Sequence, residues 1–218
     1  MLRRSAGFLG RDTSHSVVVR VGHPATEMIA LAAELSPDLV VLGTHRDRSF
    51  LAALHETTAQ RIVRLTDRSV LVVADPADHP YDQIVAATDF SPGAMTALRA
   101  GHRLAPKAKI TPVHMLQIPY SGMLGTSSDA SRSLEQSFRN DASEANLRWR
   151  QDLDLPASDT RFVVGAAYGG LQQAVRETGA TLLTVGAHSR VAAPRSLLGS
   201  LATDLMRAPI TDLLVARP

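Results

Sequence analysis

The sequence predicts an α/β fold: a doubly wound parallel sheet of five strands in the second part of the chain, preceded by a half-domain of the same design. Three observations carry this prediction. Short, continuous apolar runs alternate with amphipathic helical stretches, the pattern of strands buried on both faces of a parallel sheet. The two ends of the chain align on each other without a gap. The 218 residues, 44% hydrophobic and 20% charged, suffice for a sizeable buried core and lie far from disordered compositions.

The internal alignment pairs Gly22 with Gly165, Gly43 with Gly186, His45 with His188, Thr57 with Ser200, Ala59 with Ala202, Arg64 with Arg207 and Leu71 with Leu214, always at an offset of 143 (165 − 22). A helical stripe repeats as well: Met28, Leu31, Ala32 and Leu35 recur at i, i+3, i+4 and i+7, and Leu171, Ala174 and Val175 hold the same face. In the first copy, residues 1–75, the apolar runs predict strands over Val17–Val21, Leu39–Leu42 and Val70–Val73. Their mates in the second copy, residues 81–218, are Phe162–Val164, Leu182–Val185 and Leu213–Ala216.

The second copy also carries an opening half that the first lacks. Gln83–Ala87 is a strand, Ser91 caps a helix with Pro92 at its first position, and Ile110–Leu116 is a second strand. A long helix follows a Gly/Ser-rich loop, its apolar seam formed by Leu134, Phe138, Ala142, Ala145 and Trp149. The second copy therefore holds five strands and four helices, the truncated first copy three strands and two helices, and Ala74 to Pro80 form a short, stiff, polar linker. Pro112 conflicts with the second strand, because proline cannot donate to a ladder; either a bond is lost at a bulge or the strand begins at Val113.

Composition and missing motifs exclude many functions. The net charge of 23 − 21 = +2 argues against a dedicated nucleic-acid binder. The absence of cysteine removes disulfides, thiolate metal sites and cysteine nucleophiles, and no apolar run approaches a membrane span, so a cytoplasmic protein without membrane partners is expected. His55-Glu56 opens a zinc-protease motif that Ala59 breaks, and no other metal site is recognisable. Neither lysine, Lys107 or Lys109, follows a glycine as a phosphate-binding P-loop requires, and no strand-end GxGxxG or GxSxG turn occurs.

Doubly wound sheets bind ligands beyond the carboxyl ends of their strands. There the second copy places Thr88-Asp89, then Gly186-Ala187-His188-Ser189 and, after nine further residues, Gly199-Ser200 at a helix start. Glycine admits a phosphate close to the backbone, a serine hydroxyl and the helix amides donate to it, and an aspartate opposite accepts from ribose hydroxyls. Such a set suits a nucleotide.

Five segments, ATDFSP, KITPVHML, GAHSRVAAPRSLLGS, DLLVARP and the earlier VLGTHRDRSFLAALHETTAQRIV, resemble the universal stress protein family over nearly the whole chain. The resemblance implies ATP or another adenine nucleotide as ligand, held through G-x-x-G, nine residues, then G followed by S or T. It implies Thr88, Asp89 and Met115 at base and ribose, and Gly186, Ser189, Gly199, Ser200 and Leu201 around the phosphates, with Arg190 or Arg195 closing over them. Ser189 departs from the pattern, standing where the family has its second glycine. In the first copy Arg46 and Glu56 replace two glycines and no opening strand supplies an aspartate, so that copy is expected to bind no nucleotide. The resemblance further implies the strand order 3-2-1-4-5 and homodimers through antiparallel last strands, although Val70–Val73 and Leu213–Ala216 can instead pair within one chain. The truncated half is expected to assist assembly into a dimer or higher oligomer. At most slow ATP hydrolysis is expected, and the alternative is a nucleotide-free scaffold or chaperone-like protein of the same fold.

Overall fold

Serine, threonine and proline at helix starts and unbroken valine and leucine runs between them divide the chain as the sequence suggests. The computed structural model describes residues 16–43, 56–74, 80–118, 129–188 and 198–217. The first copy supplies α1 (Pro24–Leu35), β1 (Leu39–Gly43), α2 (Thr58–Leu65) and β2 (Ser69–Val73). The second supplies β3 (Gln83–Thr88), α3 (Pro92–Leu104), β4 (Lys109–Leu116), α4 (Asp129–Gln151), β5 (Arg161–Val164), α5 (Ala167–Thr178), β6 (Leu182–Gly186), α6 (Ser200–Arg207) and β7 (Asp212–Ala216).

All seven strands join one sheet in the order β1-β2-β7-β6-β3-β4-β5. Within the second copy this is the expected order 3-2-1-4-5, with parallel pairing throughout. Alternate residues of each strand face opposite layers. Val72, Val85, Leu183 and Val215 pack with Leu171, Val63 and Leu205 of the α5, α2 and α6 layer. Leu71, Ile84, Leu182 and Leu214 pack with Leu98 of α3 and Trp149 of α4. The seam of α4 follows the predicted spacing, with Ala142 and Trp149 buried and Leu134, Phe138 and Ala145 half-buried.

The two copies meet through their last strands. β2 pairs antiparallel with β7, and the pair Leu71↔Leu214 joins repeat mates, 214 − 71 = 143. A second pair of mates meets beside it, where Gln60 Nε2 donates to the carbonyl of Thr203 at 3.4 Å (203 − 60 = 143). The copies are thus related by a local two-fold through Leu71 and Leu214.

Two buried polar residues fasten this junction. Arg217, 8% exposed, donates through Nε and Nη2 to the carbonyl of Val63 (3.2 and 2.7 Å) and through Nη2 to that of Arg64 (2.8 Å). Its cation thereby ends α2, where unpaired carbonyls and the negative end of the helix dipole favour it. Asp212 accepts from the Ala74 amide at 2.9 Å and from the Tyr81 hydroxyl at 2.5 Å, joining the end of one copy to the start of the next. Burial, reinforced by the Asp212 carboxylate, pushes the Tyr81 phenol well above its ordinary range and keeps it a donor.

Three expectations change. Val17–Val21 forms no regular element and pairs with no strand among the described residues, and Val19 and Val21 are 79% and 96% exposed. In the order 3-2-1-4-5 this third strand must bond to the second, and no described residue of the first copy forms that second strand, so β propensity has no ladder to join. The first copy accordingly contributes two strands to the sheet, not three. Dimerisation through the last strands is also corrected: β2 lies between β1 and β7, and β7 between β2 and β6, so both edges of each are occupied within the chain.

Pro112 sits inside β4 without a bulge. The carbonyls of Ile110 and Leu116 accept from Ser158 and Gly165 on the β5 side, so even-numbered residues face that way. The β5 ladder begins only at Val113↔Arg161, which leaves the proline nitrogen facing a stretch with no strand to bond. The linker residues 75–79 lie outside the described residues.

Candidate functional site

At the carboxyl ends of β3, β4 and β6 the layers part around a cavity of about 570 Å³. Its first wall comes from the end of β3. Thr88 is buried, its Oγ1 accepting from the Phe90 amide at 3.0 Å, and Asp89 Oδ1 accepts from the Ser91 amide at 3.0 Å. Ser91 Oγ then caps α3 by accepting from Ala94 N at 3.2 Å. Asp89 is therefore not the cap: it holds the turn with one oxygen and lines the cavity.

The turn is forced through a left-handed residue, Phe90, at φ 63°. A non-glycine residue there costs on the order of 1–2 kcal/mol, which packing must offset. Its ring stacks on the His114 imidazole at 4.3 Å and 20°, and meets Trp149 edge-on at 5.9 Å. His114 Nδ1 lies 2.8 Å from the Thr88 carbonyl, which can only accept, so Nδ1 carries the proton. Burial pushes the His114 pKa down, opposed by the Thr88 carbonyl and the Asp89 charge. His114 both borders the cavity and has a structural partner.

The opposite wall is the end of β6 and the start of α6. A Cβ on Gly186 would lie 2.8 Å from the carbonyl carbon of Gly93, and a Cβ on Gly93 would lie 2.7 Å from the His188 carbonyl oxygen. Both glycines let the first turn of α3 close onto β6, so Gly186 is explained by helix packing as well as by ligand approach. Gly199 donates to Ala187 O at 2.7 Å and stands as the N-cap of α6, which has no side-chain cap bond. Ser200 and Leu201, the first two residues of α6, line the cavity.

Of the predicted residues, Thr88, Asp89, Met115, Gly186, Gly199, Ser200 and Leu201 all line this one cavity. Ser189, Arg190 and Arg195 lie outside the described residues, as do His45, Arg46 and His55. The sequence reading missed Gln117, which follows β4 and was findable by the strand-end rule, and Tyr168, in the first turn of α5. It also missed Asp204, which shares the face of α6 with Ser200 at i, i+4. A second groove, about 730 Å³, runs between α3 and α4 over Phe90, Met95 and Trp149.

The first copy differs at the positions that match Gly199 and Ser200, which are Glu56 and Thr57. Thr57 accepts from Gln60 N at 3.1 Å while Gln60 Oε1 accepts from Thr57 N at 2.8 Å, a complete capping box. Glu56 takes both oxygens to Arg64, at 2.6 and 2.9 Å, and that guanidinium holds its carboxyl below the usual range. Among the described residues no three metal-ligating side chains converge, and no helix is long and apolar enough to cross a membrane.

A doubly wound sheet with a cavity at the switch between β3 and β6, joined to a partial second copy about a local two-fold, is an α/β architecture whose strand-end crevice is the usual place for a ligand. Residues 4–74 and 80–217 each match the model of the universal stress protein family, and the chain belongs to that family. Comparison with curated proteins yields no significant match. Among solved structures it is similar to a functionally unknown protein of Pseudomonas aeruginosa PAO1, at 17% identity and a TM-score of 0.63, over 91% of this chain and 69% of that one. It is similar also to a universal stress protein of Archaeoglobus fulgidus DSM 4304, at 16% identity and 0.59, over 89% of this chain and 65% of that one. UspA of Lactobacillus plantarum matches at 18% identity and 0.50, over 64% of this chain and 100% of its own length. At these identities the likeness is one of fold. The chain spans about two thirds of the two longer structures.

Proposed function

We propose that the cavity of the second copy takes an adenine nucleotide as a sensor or stabilising ligand, without turnover. The observation that carries this reading is convergence: seven residues named from strand ends, from the start of α6 or from the family resemblance border a single cavity of about 570 Å³, a volume ordinary for small-ligand sites. In this reading Thr88, Asp89 and Met115 face base and ribose. Gly186, Gly199, Ser200 and Leu201 surround phosphate. The open start of α6 supports it, since helix amides without a cap attract anions.

Equilibrium binding tests the proposal. Adenosine, AMP and ATP are titrated against the full chain; at least one is expected to bind saturably, with affinity falling about tenfold or more in Asp89→Ala. Absence of saturation by all three at millimolar concentration overturns it. A nucleotide-free scaffold is the second reading, favoured by the contact between Gly186 and Gly93, which accounts for both glycines without a ligand. Assembly in either reading belongs to the first copy: the outer edge of β1 bonds no strand among the described residues, and Val41 on it is 56% exposed. Sedimentation giving a monomer at micromolar concentration would remove that part.

A further inference from the structure

We propose that Asp204 sets the charge of the ligand, selecting a nucleoside or nucleoside monophosphate over a metal-free triphosphate. The inference rests on the nucleotide reading of the cavity and goes beyond it in naming which nucleotides are taken. Helical periodicity puts positions 200, 201 and 204 on one face, and Ser200, Leu201 and Asp204 all line the cavity. The wall that offers amides to a phosphate therefore presents a carboxylate one turn further along.

The two influences have opposite sign and unequal size. A helix start is equivalent to about half a positive charge, spread over its first turn. Asp204 carries a full negative charge, it is exposed and not held by any ion pair among the described residues, and Asp89 brings a second carboxylate from the β3 wall. No arginine or lysine is among the described lining residues. Glu56 of the first copy gives the contrast, because Arg64 neutralises it with two hydrogen bonds. One phosphate can lie against the amides. Each further one adds negative charge facing Asp204, which at a separation of about 6 Å in water weakens binding roughly threefold per unit charge. Uncharged adenosine escapes this repulsion entirely.

The experiment is calorimetric titration of the full chain with adenosine, AMP and ATP at about pH 8, where histidines carry little charge, in about 0.1 M salt with EDTA. It is repeated on Asp204→Asn and on Asp141→Asn, a remote carboxylate on the exposed face of α4. In the wild type ATP is expected to bind about tenfold more weakly than adenosine. Asp204→Asn should recover most of that difference while leaving adenosine within twofold, excess magnesium should narrow the gap in the wild type, and Asp141→Asn should change neither ligand. ATP binding the wild type as tightly as adenosine in EDTA would overturn the role of Asp204. So would an equal shift of both ligands in Asp204→Asn, or an equal gain for ATP in Asp141→Asn. If adenosine binds and the charge series is absent, Asp204 alone is refuted; if none of the three binds any variant, the nucleotide reading falls and takes this inference with it.

Discussion

α2 and α6 hold matching places in the two copies, and their starts differ residue by residue at the common offset of 143. In the first copy Glu56 and Thr57 turn inward on their own helix, one pairing with Arg64 and the other closing a capping box with Gln60. In the second, Gly199 and Ser200 leave the helix start without a side-chain cap, beside a cavity. The same local fold thus spends its polar groups on self-satisfaction in one place and leaves them available in the other. Availability at a helix start is what binding requires, and it costs the stability that a cap supplies, about 1 kcal/mol.

The largest expected effect concerns the junction that holds the two copies together. Arg217→Ala removes a nearly buried guanidinium and leaves the carbonyls of Val63 and Arg64 at the end of α2 without it. Loss of charge-assisted bonds in a buried setting costs on the order of 3 kcal/mol. Chemical denaturation should show that loss with the first copy unfolding ahead of the second. A single transition shifted by less than about 1 kcal/mol would mean that the β2–β7 ladder alone couples the copies.

The repeat-mate glycines sharpen the comparison next. Gly186 has the Gly93 backbone 2.8 Å from where a Cβ would stand, whereas Gly43 has nothing within 4 Å among the described residues. Gly186→Ala must displace backbone and is expected to cost about 1–3 kcal/mol, the usual range for overpacking. Gly43→Ala should be neutral or stabilising by up to roughly 1 kcal/mol, through the unfolded chain. Equal midpoints for the two variants in thermal melts would show that β6 and α3 are not held as closely as these distances require.

Much of the fold was legible because continuous apolar runs and capped helices are local signals. Ser91-Pro92 announces α3, and the repeat offset locates both last strands; their antiparallel pairing came from the family resemblance, with pairing inside one chain as the alternative that the sheet adopts. What was illegible depended on partners. The valines of Val17–Val21 satisfy β propensity as well as those of β2 do, but a strand exists only where another offers its hydrogen bonds. Pro112 looked like a fault because sequence does not say which side of a strand a nitrogen faces. In the cavity, Thr88, Asp89 and Gly186 were found by the strand-end rule. Asp204 was not, because its place follows from a helix orientation that only the packed α6 fixes. Gly93 was missed because its constraint is the carbonyl of His188, remote in sequence.

The caps themselves give the third test. Thr57→Ala removes the bond that Gln60 N donates to the Thr57 hydroxyl, leaves the Thr57 amide donating to Gln60 Oε1, and should cost about 1 kcal/mol. Ser200→Ala, at the matching position, breaks no helix-capping bond and should leave the melting temperature almost unchanged while weakening whatever ligand the cavity takes. The reverse pattern, a stability loss at Ser200 and none at Thr57, would invert the assignment of the open and closed helix starts.

The smallest effect belongs to Glu56, and its pH dependence identifies it. Arg64 depresses the Glu56 pKa, chiefly through the side-chain hydrogen bond, so the unfolded state binds the proton more readily than the folded one. The ion pair therefore contributes stability above the ordinary glutamate pKa of about 4.3 and loses it as pH falls through the lower folded value. Both side chains are about one-third exposed, at 39% and 32%, and solvent screening limits the contribution to roughly 0.5 kcal/mol. Glu56→Gln should accordingly lower the midpoint of urea unfolding slightly at pH 7 and match the wild type near pH 3. A difference that persists unchanged at low pH would mean that Glu56 acts through packing, and that the first copy closes its helix start by shape alone.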